Sequence, residues 1–339
     1  MTGPNITILM AVYNGAPFLR DAIDSIFAQT YPHFELLVVN DGSSDSTADV
    51  LQSYSDPRLI VITNERNLGL VASLNKGLDL ARGELVSRMD ADDLCLPERL
   101  EKQFLFLKGN PRVGLCGTWF RTFGAKRPTI VHPPQHSDDI AARLFYESPI
   151  GHPTVMFRRG LFAQQGLSYK NDLPYVEDYE LWTRAAEVTE LANIPEVLLE
   201  YRYHEAQVSS QKQVMQRQNV DKIRLRQLNK IYPQASEVEC TTHLSILANE
   251  SSGERQLEPS EVEAWLLKLI ALNESRASRF PIEAFRRALA LVWWRYCAAR
   301  YSAPGILRAF YKSELTRVLP MRNKIGLLAL RTKANLSQS

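Results

Sequence analysis

Long apolar runs are missing from this 339-residue chain, and no stretch of about 18 apolar residues reads as a helix that would span a bilayer. Cysteine is sparse: Cys95, Cys116, Cys240 and Cys297 are scattered, with neither a CxxC pair nor metal-ligand spacing. That argues against a cysteine-held metal or a disulfide framework, and it makes a reducing, cytoplasmic compartment the expectation. The start, Met1-Thr2-Gly3-Pro4, has no basic n-region and no signal-peptide core. Glycine-rich phosphate cradles are also lacking, since there is no G-x-G-x-x-G turn and no G-x-x-x-x-G-K loop. Acidic residues nearly vanish near the end. From Arg276 onward thirteen Lys/Arg face only Glu283 and Glu314, which leaves 27 basic and 36 acidic residues before that point out of totals of 40 and 38. The body is therefore acidic and the tail basic. A tail of that kind fits a negatively charged partner such as an anionic membrane surface or nucleic acid.

What is there is an ordinary globular composition, 45% hydrophobic and 23% charged, long enough for one large domain and a smaller one. Four apolar runs of strand length, Ile6–Val12, Phe34–Val39, Leu59–Ile62 and Glu84–Arg88, alternate with helix-spaced segments over about the first ninety residues. This is a βαβ series, which predicts a mainly parallel sheet covered on both faces. In such sheets ligands sit at the carboxyl ends of the strands. Four polar clusters fall there: Tyr13-Asn14, Asn40-Asp41-Gly42-Ser43, Asn64 to Asn67, and Asp90 to Asp93.

The last of these, Arg88-Met89-Asp90-Ala91-Asp92-Asp93, packs three carboxylates into four positions. Like charges so close raise their own pKa values, and a hard divalent cation with oxygen ligands removes that penalty. The bland alternative is a solvated acidic turn capping the next helix. With no glycine cradle available, the pattern predicts a nucleotide diphosphate gripped through a cation, Mg²⁺ or Mn²⁺.

Ala11-Val12-Tyr13-Asn14, Asn40-Asp41-Gly42-Ser43-Ser44-Asp45, Asn67-Leu68-Gly69 and Met89-Asp90-Ala91-Asp92-Asp93, in this order and spacing, resemble the family 2 glycosyltransferases. The resemblance covers about residues 4–210 and implies the GT-A fold with an inverting mechanism. The family often has two aspartates before Gly-Ser, and here the first position holds Asn40. The resemblance implies that Val12 and Tyr13 line the nucleobase pocket with Asp41 on the base, that Asp90 meets ribose or metal, and that Asp92 holds the metal. It further implies a general base in Tyr175-Val176-Glu177-Asp178-Tyr179, with Asp178 as the base and Glu177 orienting it. His152 in Gly151-His152-Pro153-Thr154 is a candidate diphosphate or acceptor contact. In Tyr201-Arg202-Tyr203-His204, Arg202 is a candidate cation for the leaving group and His204 a candidate metal neighbour. Asp41 alone could be a turn cap, His152 a structural hydrogen-bonding residue, and Glu177-Asp178 a favourably charged helix start.

The expected organisation is a GT-A domain over 1–210 and a C-terminal helical region over 211–339, basic from about 276. Residues 207–218 read as a polar linker, and 128–135 as an irregular proline-rich connection. Six helices are expected after Val220: Asp221–Ile231, Glu237–Asn249, Ser260–Leu272, Pro281–Tyr301, Gly305–Val318 and Lys324–Leu330. Trp293, Trp294, Tyr296, Tyr301, Phe310 and Tyr311 alternate with arginines and lysines. That mixture fits either a peripheral helix on the inner face of an anionic membrane or a bundle that buries its aromatics.

The expected function is transfer of a hexosyl or N-acetylhexosaminyl group from a UDP-linked sugar to a saccharide or lipid-linked acceptor in cell-surface polysaccharide or glycan synthesis, without nucleic acid as a partner. One competing class is a nucleotidyltransferase, which would place a glycine-rich, arginine-bearing loop where Ala11-Val12-Tyr13-Asn14-Gly15 stands. The other is a non-catalytic sugar-nucleotide-binding protein, which would have lost its acidic motifs.

Overall fold

The computed structural model describes residues 4–125, 127–204, 212–247, 257–275, 278–321 and 323–326. The four apolar runs form β1 (Ile6–Val12), β2 (Phe34–Asn40), β3 (Leu59–Thr63) and β4 (Leu85–Met89). β1 and β2 are buried along almost their whole length, as unbroken Val/Ile/Leu runs require in a sheet covered on both sides. β2 pairs with β1 and β3, and β1 with β4, all in parallel. Helices α1 (Ala16–Phe27), α2 (Thr47–Gln52) and α3 (Leu70–Leu80) make the crossovers. The inner face of α1 buries Leu19, Ala22, Ile23 and Ile26, an i, i+3, i+4, i+7 stripe. α3 comes close to the sheet at Gly77, where an added Cβ would stand 2.1 Å from Leu9 Cδ1.

Beyond β4 the sheet departs from the parallel expectation. β5 is the two-residue Leu94–Cys95, and after α4 (Arg99–Gly109) come β6 (Val113–Gly124), β7 (Ile130–Val131), α5 (Ser137–Arg143), β8 (Met156–Arg158), α6 (Arg159–Gln164), α7 (Glu177–Ala185) and β9 (Glu190–Tyr203). The strand order is β3-β2-β1-β4-β8-β6-β9-β5, with β7 on β6. β8 lies antiparallel between β4 and β6, β9 is parallel to β6, and β5 and β7 are antiparallel additions. The sheet is mixed, with a parallel half, β3-β2-β1-β4, that carries the four polar clusters.

One buried charge sits under this junction. Arg99 is 1% exposed. Its guanidinium donates to Arg88 O (2.8 Å), Ser87 Oγ (3.2 Å) and Gln103 Oε1 (3.0 Å), and it also touches Met89 Sδ (3.3 Å). None of these partners is a carboxylate.

Two compact units divide the chain. The first spans Met1–Ile140 with Ser148–Val220, and the second Ala141–Glu147 with Asp221–Ser339. The expected linker is not all linker. Residues 207–211 lie outside the described set, but helix α8 (Gln213–Ile231) takes in residues 213–218, and its first residues up to Val220 belong to the first unit. Residues 213–218 bury no apolar side chain, so the apolar stripe by which a helix is read from sequence begins only further along, with Ile223, Leu228 and Ile231. Residues 128–135 contain the short β7.

The second unit is helical, with α9 (Glu237–Ser245), α10 (Pro259–Ser275), α11 (Ile282–Ala299), α12 (Ile306–Lys312) and α13 (Glu314–Arg317). The expected helices at Glu237–Asn249 and Lys324–Leu330 run partly outside the described residues. The single helix expected over 305–318 is broken at Ser313, which caps α13. Trp293, Tyr296 and Phe310 are buried in this unit's core with Trp265, Phe285 and Leu289. Those aromatics pack a bundle, while Tyr311 stays exposed. Among the described residues no helix is long and apolar enough to cross a membrane.

Candidate active site

The carboxyl ends of β1, β2 and β3 are in register, with Val12 opposite Asn40 and Asn40 opposite Thr63. Val12 is buried and the next residue, Tyr13, is half exposed. The loop after β1 is fastened to the loop after β2. Asn14, at φ 51°, donates its N–H to Ser43 Oγ (2.9 Å), and its side-chain Oδ1 accepts from Ser44 N (2.8 Å). Gly15 N donates to Thr47 Oγ1 (3.0 Å). Gly42 has φ +69°, and a Cβ there would lie 2.6 Å from the Arg66 carbonyl carbon, so this position requires glycine on both counts.

Asp41 is 3% exposed and committed to its neighbours. Its Oδ1 accepts from Asn64 Nδ2 (2.8 Å) and Leu68 N (2.9 Å), and its Oδ2 from Gly69 N (2.8 Å). Asn64 in turn contacts Ser73 Oγ (3.0 Å) and accepts from Lys76 Nζ (2.7 Å). The carboxylate thus sits at the N-terminal end of α3 and locks the Asn67-Leu68-Gly69 loop. Three of its roughly four acceptor sites are used within the protein.

The acidic cluster lies at the end of β4. Asp90, Asp92 and Asp93 each offer an oxygen, and these oxygens are within 4.8 Å of one another. Asp90 is ion-paired with the buried Arg88. Asp93 is wholly buried; its Oδ1 accepts from Arg202 N (2.9 Å), while its Oδ2 has no partner. Burial first, then the neighbouring carboxylates, raises Asp93 well above the usual range. Asp90 is raised by burial too, against the pull of Arg88. An all-oxygen donor set with one orphaned buried oxygen fits a hard divalent cation, so these residues suit Mg²⁺ or Mn²⁺. Asp93 stands with Asp90 and Asp92 as a third candidate ligand. The clustered aspartates in the sequence pointed to it without separating it from its neighbours.

β9 brings the last candidates to the same place. His204 Nε2 lies 2.8 Å from Asp92 Oδ2. Arg202 donates from Nε to Asp92 O (2.7 Å), reaches Asp21 Oδ2 (3.2 Å), and stacks over Phe18 and Phe123 at 4.7 and 4.6 Å. Both side chains therefore brace the acidic loop.

Glu177 and Asp178 open α7 (Glu177–Ala185). Glu180, in the same turn, is held by a bidentate pair with Arg184, Nε–Oε1 2.8 Å and Nη2–Oε2 2.7 Å, so its role is structural. Asp178 has no such cation. Burial, then the adjacent Glu177 carboxylate, pushes it up to about 7. Glu177 is itself raised by burial. Arg88 connects the two acidic groups. Its charge acts on Asp90 and Asp93 and also on Glu177 and Asp178, and its Nε is buried without a partner. Sequence reasoning did not single out Arg88, because an arginine on a buried strand gives no local signal of which charges surround it. His152 sits nearby, its Nε2 2.9 Å from Tyr169 Oη. Burial and the Arg88 charge hold its imidazole well below the usual range, so at neutral pH it offers a hydrogen bond rather than a positive charge.

A groove of about 470 Å³, lined by Trp119, Ile130, His132 and Val197 among others, includes none of these acidic residues.

The ordered polar clusters match a family model. Residues 7–165 fit the model described as glycosyl transferase family 2. An uncharacterized glycosyltransferase of Haemophilus influenzae is 35% identical over 220 residues, which cover 61% of this chain and 68% of that protein. The chain belongs to glycosyl transferase family 2. Another relative of this glycosyltransferase is the amylovoran biosynthesis glycosyltransferase AmsE of Erwinia amylovora, 34% identical over 204 residues, 58% of this chain and 75% of that one. Its fold is that of the GT-A enzymes. S. aureus TarS 1-349, solved with UDP-GlcNAc, superposes with a TM-score of 0.57 at 17% identity, covering 90% of this chain and 92% of that one. The mannosyltransferase PcManGT of Pyrobaculum calidifontis, solved with GDP-Man and Mn2+, gives 0.52 at 19% identity, covering 100% and 89%.

Proposed function

We propose that this glycosyltransferase moves a hexosyl or N-acetylhexosaminyl group from a UDP-linked sugar to a hydroxyl of a saccharide or lipid-linked acceptor, with inversion, in cell-surface polysaccharide or glycan synthesis. One observation carries the reading. A carboxyl raised to about 7, Asp178, shares the field of Arg88 with a cluster of three carboxylates that suits a cation.

The roles follow from these positions. Asp178, ionised, takes the proton of the acceptor hydroxyl as its oxygen attacks the anomeric carbon. The bond from that carbon to the diphosphate breaks, and the nucleoside diphosphate leaves with the bond's electron pair. Glu177 keeps Asp178 basic enough for this at neutral pH. Bound at Asp90, Asp92 and Asp93, with His204 beside them, Mg²⁺ or Mn²⁺ would supply positive charge to the departing pyrophosphate. Arg202 holds the Asp92–Asp93 loop in place, and Arg88 balances Asp90. Val12 and Tyr13 border the base pocket. Asp41 shapes that pocket through the loop it locks, and one further acceptor site on its carboxylate remains for the base. His152 offers its neutral ring to donor or acceptor. The nucleotide is taken as uridine because TarS was solved with UDP-GlcNAc, although the GDP-Man complex of PcManGT makes guanosine the alternative.

Donor hydrolysis and UDP binding test these roles. Asp92→Ala loses Mn²⁺-dependent UDP binding. Asp178→Asn keeps UDP binding and loses turnover. An Asp178→Asn protein that hydrolyses donor at the normal rate would refute the assignment of the base.

The basic C-terminal region is proposed to meet an anionic membrane surface. Tyr311, Lys312, Arg317, Val318, Met321 and Ile325 are exposed there. Exposed apolar side chains among cations favour a lipid interface over water. In a flotation assay with phosphatidylglycerol liposomes, the triple variant Lys312→Glu, Arg317→Glu, Met321→Ser should stay at the bottom while the parent floats. Equal flotation would exclude this surface.

A further inference from the structure

Only Asn14 and Tyr175 among the described non-glycine residues have positive φ, and Tyr175, at 69°, lies two residues before Glu177. A bulky aromatic in the left-handed region is strained and persists only when its surroundings hold it. Two side chains from the first turns of α8 hold this one. Gln216 Nε2 donates to Tyr175 O (3.0 Å), and Asn219 Nδ2 donates to Pro174 O (2.9 Å). Asn219 is 3% exposed, so its bond is made away from water. The next residue, Val176, caps α7 without a side-chain hydrogen bond, and the helix closes on it through Glu180 N to Val176 O (2.9 Å). The direction in which Glu177 and Asp178 leave the turn is therefore set by the peptides that Gln216 and Asn219 grip.

We propose that Gln216 and Asn219 are positioning residues for the base. By clamping Pro174 and Tyr175 they aim Asp178, and the start of α8 is a working part of the active site although it follows the sheet in sequence. This rests on the reading of Asp178 as base. Neither side chain is required to touch substrate.

The test uses the full chain with whichever of UDP-glucose, UDP-galactose, UDP-N-acetylglucosamine and GDP-mannose the parent hydrolyses fastest, and with UDP plus Mn²⁺ as the binding probe. Asn219→Asp and Gln216→Glu remove each donor group with little change of size. The expected result is a kcat reduced about 10- to 100-fold with UDP affinity unchanged, since a misplacement of about 1 Å costs that much. Amide exchange over residues 174–181 should speed up. Adding Tyr175→Gly, which relieves the positive φ, should restore part of the rate. In an Asp178→Asn background the clamp variants should cause no further loss. A kcat unchanged in both variants, or a fall in UDP affinity equal to the fall in rate, would overturn the proposal. If Asp178→Asn is itself active, the base assignment fails instead. If it is dead while both clamp variants run normally, only the clamp fails.

Discussion

Replacing Glu177 by Gln should shift the pH dependence of turnover without abolishing it. Asp178 ionises near 7 because it is removed from water and because a second carboxylate adjoins it. For a base with that pKa, about one-tenth of the molecules are active at pH 6 and about nine-tenths at pH 8. The acid limb of kcat/KM for donor hydrolysis should therefore have unit slope and a midpoint near 7. Glu177→Gln removes the like charge and leaves the burial, so part of the shift is lost and the limb should move down by about one pH unit. Rates would be followed from pH 5 to 9 for both proteins at one fixed Mn²⁺ concentration, because bound cation also biases the carboxyl. A parental midpoint near 4, or a limb that rises in the variant, would refute the reasoning.

Further outcomes follow from the same geometry. Asp178→Asn should raise the melting temperature at pH 8 and leave it almost unchanged at pH 3. The folded carboxyl holds its proton up to about 7 whereas the unfolded one releases it near 3.8, so the cost of ionising it in the folded state builds between those values and is complete above them. Asp41→Ala should cost about 1–3 kcal/mol in urea denaturation, since three donors lose their acceptor. Gly42→Ala should cost about 1–3 kcal/mol through the left-handed backbone and the clash with Arg66. No change in the urea midpoint of either variant would argue against the loop lock. Calorimetric titration of Mn²⁺ into Asp93→Asn should show at least about tenfold weaker binding; an unchanged affinity would remove Asp93 from the ligand set.

The parallel half of the fold was legible because each strand is a short apolar run and the first crossover helix, α1, carries a clear stripe. The other half was not. β8 is only Met156–Arg158, and nothing local says that it inserts between β4 and β6; β5 and β7 are two residues each. The second part of α8 is legible as the helix expected over Asp221–Ile231, but residues 213–218 read as linker because they bury no apolar side chain. In the site, the Asp90–Asp93 cluster is visible from spacing, whereas Asp41, Glu177 and Asp178 stand out only through the family resemblance. The occupation of Asp41 by backbone donors was not, because those donors arrive from a loop 27 and 28 residues away. Arg88, Gln216 and Asn219 were invisible for the same reason: each matters through a partner that only the folded chain supplies.

Arg99 has a practical consequence. Its guanidinium is sealed beneath the end of β4, and its charge joins that of Arg88 in opposing the burial that raises Asp90. The carboxylates at the mouth and the cation in the floor thus form a layered pair of opposite signs. Neutralising the whole mouth to make an inert control would strand an uncompensated positive charge in the interior. Loss of signal from such a control would then report unfolding as much as lost chemistry, and single substitutions are the sounder probes.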